Sequence, residues 1–158
     1  MESFCRRAGL WTALLVLGVG ACAHLASAEG VYVSVMPQTV VVDPGAEFTL
    51  GVDVTEAGSL FNGFDIALGY DPAALTFLPT SPISLQEGSA MTGACGSTFH
   101  RFSAVGDNLS ITDVLLCPNL SLTGPAQIYT LRFRAPSTPQ VTFLRFRSIQ
   151  FYNDGLFV

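Results

Sequence analysis

The 158-residue sequence contains no lysine, and charged side chains make up only 12% of it. Seven arginines stand against twelve acidic residues, which gives a net charge of −5. Residues 1–28 hold two arginines and one glutamate, so the remaining five arginines and eleven acids give −6 after residue 28. Nucleic-acid binding requires a basic surface that displaces counterions from phosphates. The charge balance therefore argues against a nucleic-acid partner.

Tryptophan is also nearly absent, because Trp11 is the only one and it precedes residue 28. A flat aromatic platform for crystalline polysaccharide is therefore not expected. Twelve phenylalanines and little charge exclude a disordered chain. About 130 residues after the N-terminal segment suffice for one domain with its own hydrophobic core.

Residues 1–28 have the pattern of a signal peptide. Arg6 and Arg7 form its positive start, and about ten apolar residues follow at 10–19. The small residues at 26–28 predict cleavage before Glu29, which leaves residues 29–158 as the exported domain. The expected localisation is therefore secreted or extracellular.

Two alternatives to cleavage stay open. The stretch ending at Cys22 resembles a bacterial lipobox, so lipidation of Cys22 would anchor the protein at the cell envelope and give it its membrane contact. An uncleaved anchor is the other alternative, although Gly18 and Gly20 interrupt the apolar run, and a spanning helix needs about 20 apolar residues.

Two cysteines, Cys95 and Cys117, remain after the signal peptide. In an exported domain they have one pairing available, and a disulfide between them is expected, with two buried free thiols as the alternative. A metal site is not expected, because His100 is the single histidine after residue 28 and no third ligand has suitable spacing.

The pattern after residue 30 is typical of an all-β protein, because no segment shows helical periodicity over more than two turns. Short β-branched and aromatic runs are separated by turn residues, and they alternate between apolar and polar positions. This alternation predicts two packed antiparallel sheets, a β-sandwich. Eight strands are expected, at residues 31–35, 48–54, 63–70, 75–78, 98–105, 109–116, 128–134 and 141–149.

Residues 33–37 and 40–52 resemble the opening of cohesin domains, and residues 61–75 resemble their central signature, a strand ending in Tyr70-Asp71-Pro72 before Leu75. Residues 129–135 are similar to a later long strand, and residues 151–156 to a loop near the end, so the resemblance covers about residues 31–156. It implies a nine-stranded jelly-roll sandwich, whose ninth strand is expected to be missing because the sequence ends at Val158.

The resemblance implies a non-catalytic module that binds calcium-loaded dockerin modules in polysaccharide-degrading or cell-surface assemblies. No cofactor is expected, and any calcium would belong to the partner. The dockerin would lie on the sheet formed by the third, fifth, sixth and eighth strands. Asp65 occupies a dockerin-contacting position of the family. The neighbouring contact position holds Gly63 here, with Asn62 one residue away.

Four residues are therefore the predicted partner-binding set: Asp65, Asn62, Ser110 and Thr112. Each also has an ordinary structural explanation, as a solvated strand residue or, for Asn62, as a turn residue. Four arginines at 132, 134, 145 and 147 are expected to point outward into salt bridges with nearby acids, in opposite sheets.

Catalysis is not expected, because the sequence has no Gly-x-Ser-x-Gly, no His-Glu-x-x-His and no suitable Cys–His pair. Two other functions remain open. One is direct carbohydrate binding, in which Tyr152 and Phe151 would hold a single glycan chain. The other is a passive structural role in the cell envelope.

Overall fold

A computed structural model describes residues 30–158, and the predicted signal peptide, cleavage site and lipobox lie outside the described residues. Nine strands and two short helices form the fold. The strands are β1 (Val33–Met36), β2 (Glu47–Val54), β3 (Gly63–Gly69), β4 (Thr76–Phe77), β5 (Thr98–Val105), β6 (Asn108–Leu115), β7 (Ala126–Arg134), β8 (Arg145–Asn153) and β9 (Leu156–Phe157). A 3₁₀ helix (Ile83–Gln86) and α1 (Ser89–Cys95) lie between β4 and β5.

The strands form two antiparallel sheets. One has the order β1-β2-β7-β4, and the other has the order β5-β6-β3-β8-β9. The predicted β-sandwich is therefore confirmed. The predicted grouping of the third, fifth, sixth and eighth strands in one sheet is confirmed as well.

The core lies between the sheets and consists of the inward side chains that the alternation predicts. On β3, Phe64, Ile66 and Leu68 are buried, while Asp65 and Ala67 are half-exposed. On β7 the same pattern buries Tyr129, Leu131 and Phe133 and turns the intervening arginine outward. Phe61 and Phe151 pack edge to face, with ring centroids 4.9 Å apart. Burial of these faces is the main force that holds the sheets together.

Two strands near the C-terminus differ from the expectation. The predicted strand at 141–149 begins four residues later, at Arg145, because residues 141–144 instead line a cavity of about 520 Å³ beside residues 37–44. The sequence analysis identified no ninth strand, and the structure adds one: β9 pairs with the end of β8 through Tyr152↔Phe157 and Asn153↔Leu156. Because β9 has only two residues, it carries no alternation that a sequence pattern could show.

The segment Ile83–Cys95, here called the cover segment, closes one end of the sandwich. Met91 of α1 is fully buried, and α1 packs against β5, β6 and β7. The predicted disulfide is present: Cys95 at the end of α1 is bonded to Cys117 just after β6, with Cα atoms 6.2 Å apart. The cover segment is thereby linked covalently to the sheet. Within residues 30–158, no helix is long and apolar enough to span a membrane.

Candidate functional site

The exposed side of the β5-β6-β3-β8 sheet is polar at its centre. Strand register places Arg101, Thr112, Asp65 and Gln150 in one row across the four strands. The next row consists of Ser103, Ser110, Ala67 and Ser148. These eight residues are here called the outer face. Their side chains are small or hydrogen-bonding, and together they form a shallow surface with one carboxylate near its middle.

Asp65 lies on the central strand of this sheet, with strands on both sides. The Tyr152 hydroxyl, on β8, donates a hydrogen bond of 2.7 Å to Oδ2 of Asp65. This bond and the nearby negative charge raise the pKa of Tyr152, because ionisation would place two anions together. The Gln150 side chain lies 2.9 Å from the same hydroxyl. Asp65 is therefore held in position while its other oxygen remains available as an acceptor.

The structure brings two more of the predicted residues to this face. Thr112 is the direct cross-strand neighbour of Asp65, and Ser110 is the neighbour of Ala67 one row away. The Ser110 hydroxyl accepts a hydrogen bond of 2.8 Å from the Asn108 amide, within the same strand. Asp65, Thr112 and Ser110 thus form one continuous polar patch.

Asn62 lies apart from the patch and has a different set of contacts. Its amide nitrogen donates to Oδ1 of Asp154 at 2.8 Å, and its oxygen accepts from the Asp154 backbone amide at 3.1 Å. Asp154 belongs to the turn between β8 and β9 and has a positive φ of 50°. Asn62 therefore holds this strained turn in place, and the structure does not bring it to the centre of the outer face.

The expectation for the arginines is confirmed. Arg132 and Arg134 of β7 both pair with Glu47 of β2, at 2.9 and 2.5 Å. Arg147 pairs with Asp107 in the other sheet, at 2.5 Å, whereas Arg145 stacks over the Phe143 ring. These contacts leave Arg101 as the cation on the outer face. It has no salt bridge within the described part of the chain, so it is free to meet an acidic group.

An apolar row borders the outer face at one end, and sequence reasoning did not find it. Register aligns Phe99, Val114, Gly63, Tyr152 and Phe157 across all five strands. Phe99 is 53% exposed and Phe157 is 71% exposed. The row depends on long-range pairing and on β9, so no local pattern in the sequence indicated it.

The predicted glycan contact divides between two environments. Tyr152 belongs to the apolar row, where its ring centroid lies 5.0 Å from that of Phe157. Phe151, in contrast, points into the core and is only 4% exposed. Phase alternation along β8 explains the difference, since adjacent residues of a strand face opposite sides. Phe151 was therefore wrongly paired with Tyr152 in a surface site.

The fold has close counterparts among solved structures. A non-cellulosomal cohesin from the hyperthermophilic archaeon Archaeoglobus fulgidus matches with a TM-score of 0.62 and 15% identity, over 82% of this chain and 83% of that one. A type II cohesin–X–dockerin complex from Acetivibrio cellulolyticus gives a TM-score of 0.61 and 13% identity, over 82% and 90%. The chain has the cohesin fold.

Further similarity extends this result, and the sequence comparisons set its limit. The second type II cohesin module of an adaptor scaffoldin from Acetivibrio cellulolyticus matches with a TM-score of 0.58 and 11% identity, over 80% of each chain. No protein-family model and no curated protein matches the sequence. At identities this low, the likeness to cohesins establishes the fold, and function has to be argued from the site itself.

Proposed function

We propose that this protein is a non-catalytic, exported recognition module that binds a dockerin-type protein module through the outer face. The observation that carries the proposal is the position of Asp65. Its carboxylate lies near the middle of an exposed sheet, fixed by Tyr152, with Thr112 beside it and Arg101 in the same row. A carboxylate held in this way accepts hydrogen bonds from a partner's hydroxyl or backbone amides without further ordering.

The composition of the face supports a protein partner. A specific protein interface combines an apolar part with hydrogen-bonding groups around it. The apolar row, with Phe99 and Phe157 exposed, lies next to the polar rows of the outer face. Two of the similar structures come from complexes whose printed descriptions pair a cohesin with a dockerin. This fold therefore has precedent for recognising such a module.

The test is an affinity capture with the purified exported protein. It is immobilised and exposed to the secreted proteins of its host, once with calcium and once with EGTA. We expect a protein to be retained only with calcium, since the calcium would belong to the partner. Sequencing of the retained protein then shows whether it contains a dockerin-type module.

Matched variants make this capture specific to the outer face. Asp65→Ala should abolish retention, because it removes the central acceptor. Asp43→Ala removes an exposed carboxylate from a turn outside both sheets and should leave retention unchanged. If a correctly folded protein retains nothing, or if both variants bind equally well, the proposed recognition is wrong.

Carbohydrate binding is the second candidate, and the stacked pair of Tyr152 and Phe157 is the observation that favours it. Exposed aromatic rings bind sugar rings face to face. Affinity electrophoresis through soluble polysaccharides tests this function. Retardation that Phe157→Ala removes and Asp65→Ala leaves unchanged would assign glycan binding, and indifference to both variants would favour a passive structural role in the envelope.

Export is part of the proposal. The Cys95–Cys117 disulfide supports an oxidising location, because disulfides persist in secreted and periplasmic proteins. We propose removal of residues 1–28, with secretion as the result, and lipidation at Cys22 as the alternative that leaves the domain on the envelope. Mass spectrometry of the exported protein distinguishes an N-terminus at Glu29 from a lipidated one at Cys22.

A further inference from the structure

Four titratable side chains meet beneath the cover segment, on the inner side of the sheet and away from the outer face. They are Glu87 of the cover segment, His100 of β5, Asp113 of β6 and Tyr129 of β7. The Glu87 and His100 side chains are only 5% and 6% exposed, and Asp113 is completely buried. Nothing in the proposed recognition uses these groups, yet burying them costs free energy unless their charges are balanced.

His100 is held as a neutral ring. Its Nε2 lies 2.9 Å from the Tyr129 hydroxyl, which also receives a hydrogen bond from the Gln86 amide nitrogen. The hydroxyl therefore donates its proton to Nε2, and the ring proton sits on Nδ1, which faces Glu87 Oε1 at 3.7 Å. Burial lowers the pKa of His100, and Glu87 opposes this shift in part.

Asp113 has no comparable partner. No group within the described residues donates a hydrogen bond to either of its carboxyl oxygens. Its cross-strand neighbours are His100 and Phe64, and beyond Phe64 lies Phe151. Burial first, and then the charge of Glu87, raise the pKa of Asp113 to about 7, while the backbone amide of Val114 opposes this shift in part. The carboxyl is thus neutral at mildly acidic pH.

We propose that Asp113 and His100 form a compensating proton pair that keeps the covered end of the sandwich equally stable across mildly acidic pH. In the folded protein one proton resides on Asp113 and His100 is uncharged. When the fold opens, Asp113 releases its proton to water and His100 takes one up. The two sites together bind one proton in both states, so opening involves no net proton exchange.

The sign of each contribution follows from linkage. The folded pKa of Asp113 is raised above the usual 3.8, so Asp113 alone makes stability fall as pH rises from about 4 to about 7. The folded pKa of His100 is lowered below the usual 6.5, so His100 alone makes stability fall as pH drops below about 6.5. Between about pH 4.5 and 6.5 the two slopes are opposite and cancel.

The test measures urea unfolding of the purified exported protein and its variants between about pH 4.5 and 6.5. Each unfolding constant is divided by that of the wild type, which removes contributions from other groups such as Asp53, whose pKa burial also raises. For Asp113→Asn the ratio should rise about tenfold for each pH unit of acidification. For His100→Gln it should rise about tenfold for each unit in the opposite direction.

Asp43→Asn, which removes one exposed carboxylate, should give a ratio that does not depend on pH. Flat ratios for Asp113→Asn and His100→Gln, or slopes of the same sign, would overturn the proposal. If either variant does not fold, NMR of the wild type decides. At about pH 5.5 the carboxyl carbon of Asp113 and the ring nitrogens of His100 should both show neutral groups. A protonated His100 beside an ionised Asp113 would contradict the pair.

Discussion

Asp65 and Tyr152 are 87 residues apart in sequence, and the register of β3 with β8 brings them into contact. The hydrogen bond makes the phenol the donor and the carboxylate the acceptor. Because the negative oxygen stabilises the protonated phenol, each residue reports on the state of the other. A partner that binds Asp65 will therefore change the environment of Tyr152.

Replacing Asp65 by asparagine should lower the pKa of Tyr152 towards its usual value of 10.0. The charge that opposes ionisation of the phenol is removed, while the side chain keeps its size. The shift is measured by NMR titration of the Tyr152 ring. Thr112→Val alters the same row without removing a charge and should leave the titration where it is. An unchanged Tyr152 in Asp65→Asn would mean that the hydrogen bond is absent in solution.

At the scale of secondary structure, Gly88 decides how the cover segment meets β7. Its amide donates to the Ile128 carbonyl at 3.0 Å, and an added Cβ would lie 2.3 Å from the Gln127 carbonyl oxygen. Gly88→Ala should therefore displace the cover segment and lower the free energy of unfolding by about 1–3 kcal/mol, the usual cost of overpacking.

Gly93 is the matched control, because it lies in the same short helix and an added Cβ would meet nothing within 4 Å. Gly93→Ala should leave stability unchanged or raise it by up to about 1 kcal/mol, through the higher helix propensity of alanine. Urea unfolding of both variants makes the comparison. Equal stability for the two would show that close packing at Gly88 does not hold the cover segment.

The sequence predicted elements where alternation was long, and failed where contacts between distant residues decide the structure. β3 and β7 have seven and nine residues, enough to show which side chains face the core. β9 and α1 have two and seven residues, too short to establish a period. For the site, Asp65, Ser110 and Thr112 were predicted to face outward, and all three do. The Tyr152 contact, the role of Asn62 at its turn and the apolar row required the register.

At the scale of the whole molecule, the disulfide between Cys95 and Cys117 links the cover segment to β6 across a separation of 22 residues. Closing a loop of this length stabilises the fold by about 3 kcal/mol in the chain-entropy model. A Cys95→Ser, Cys117→Ser double variant should therefore unfold at lower urea concentration by that amount. A double variant as stable as the wild type would show that packing alone holds the cover segment.

The central claim is that the exposed side of the β5-β6-β3-β8 sheet is the binding surface. The most direct measurement is an NMR titration of the isotope-labelled exported protein with the calcium-loaded partner obtained by capture. The largest amide shifts should fall on Asp65, Thr112 and Gln150, and the β1-β2-β7-β4 sheet should remain unaffected. Shifts concentrated on that second sheet, or on the cavity beside residues 37–44, would contradict the account.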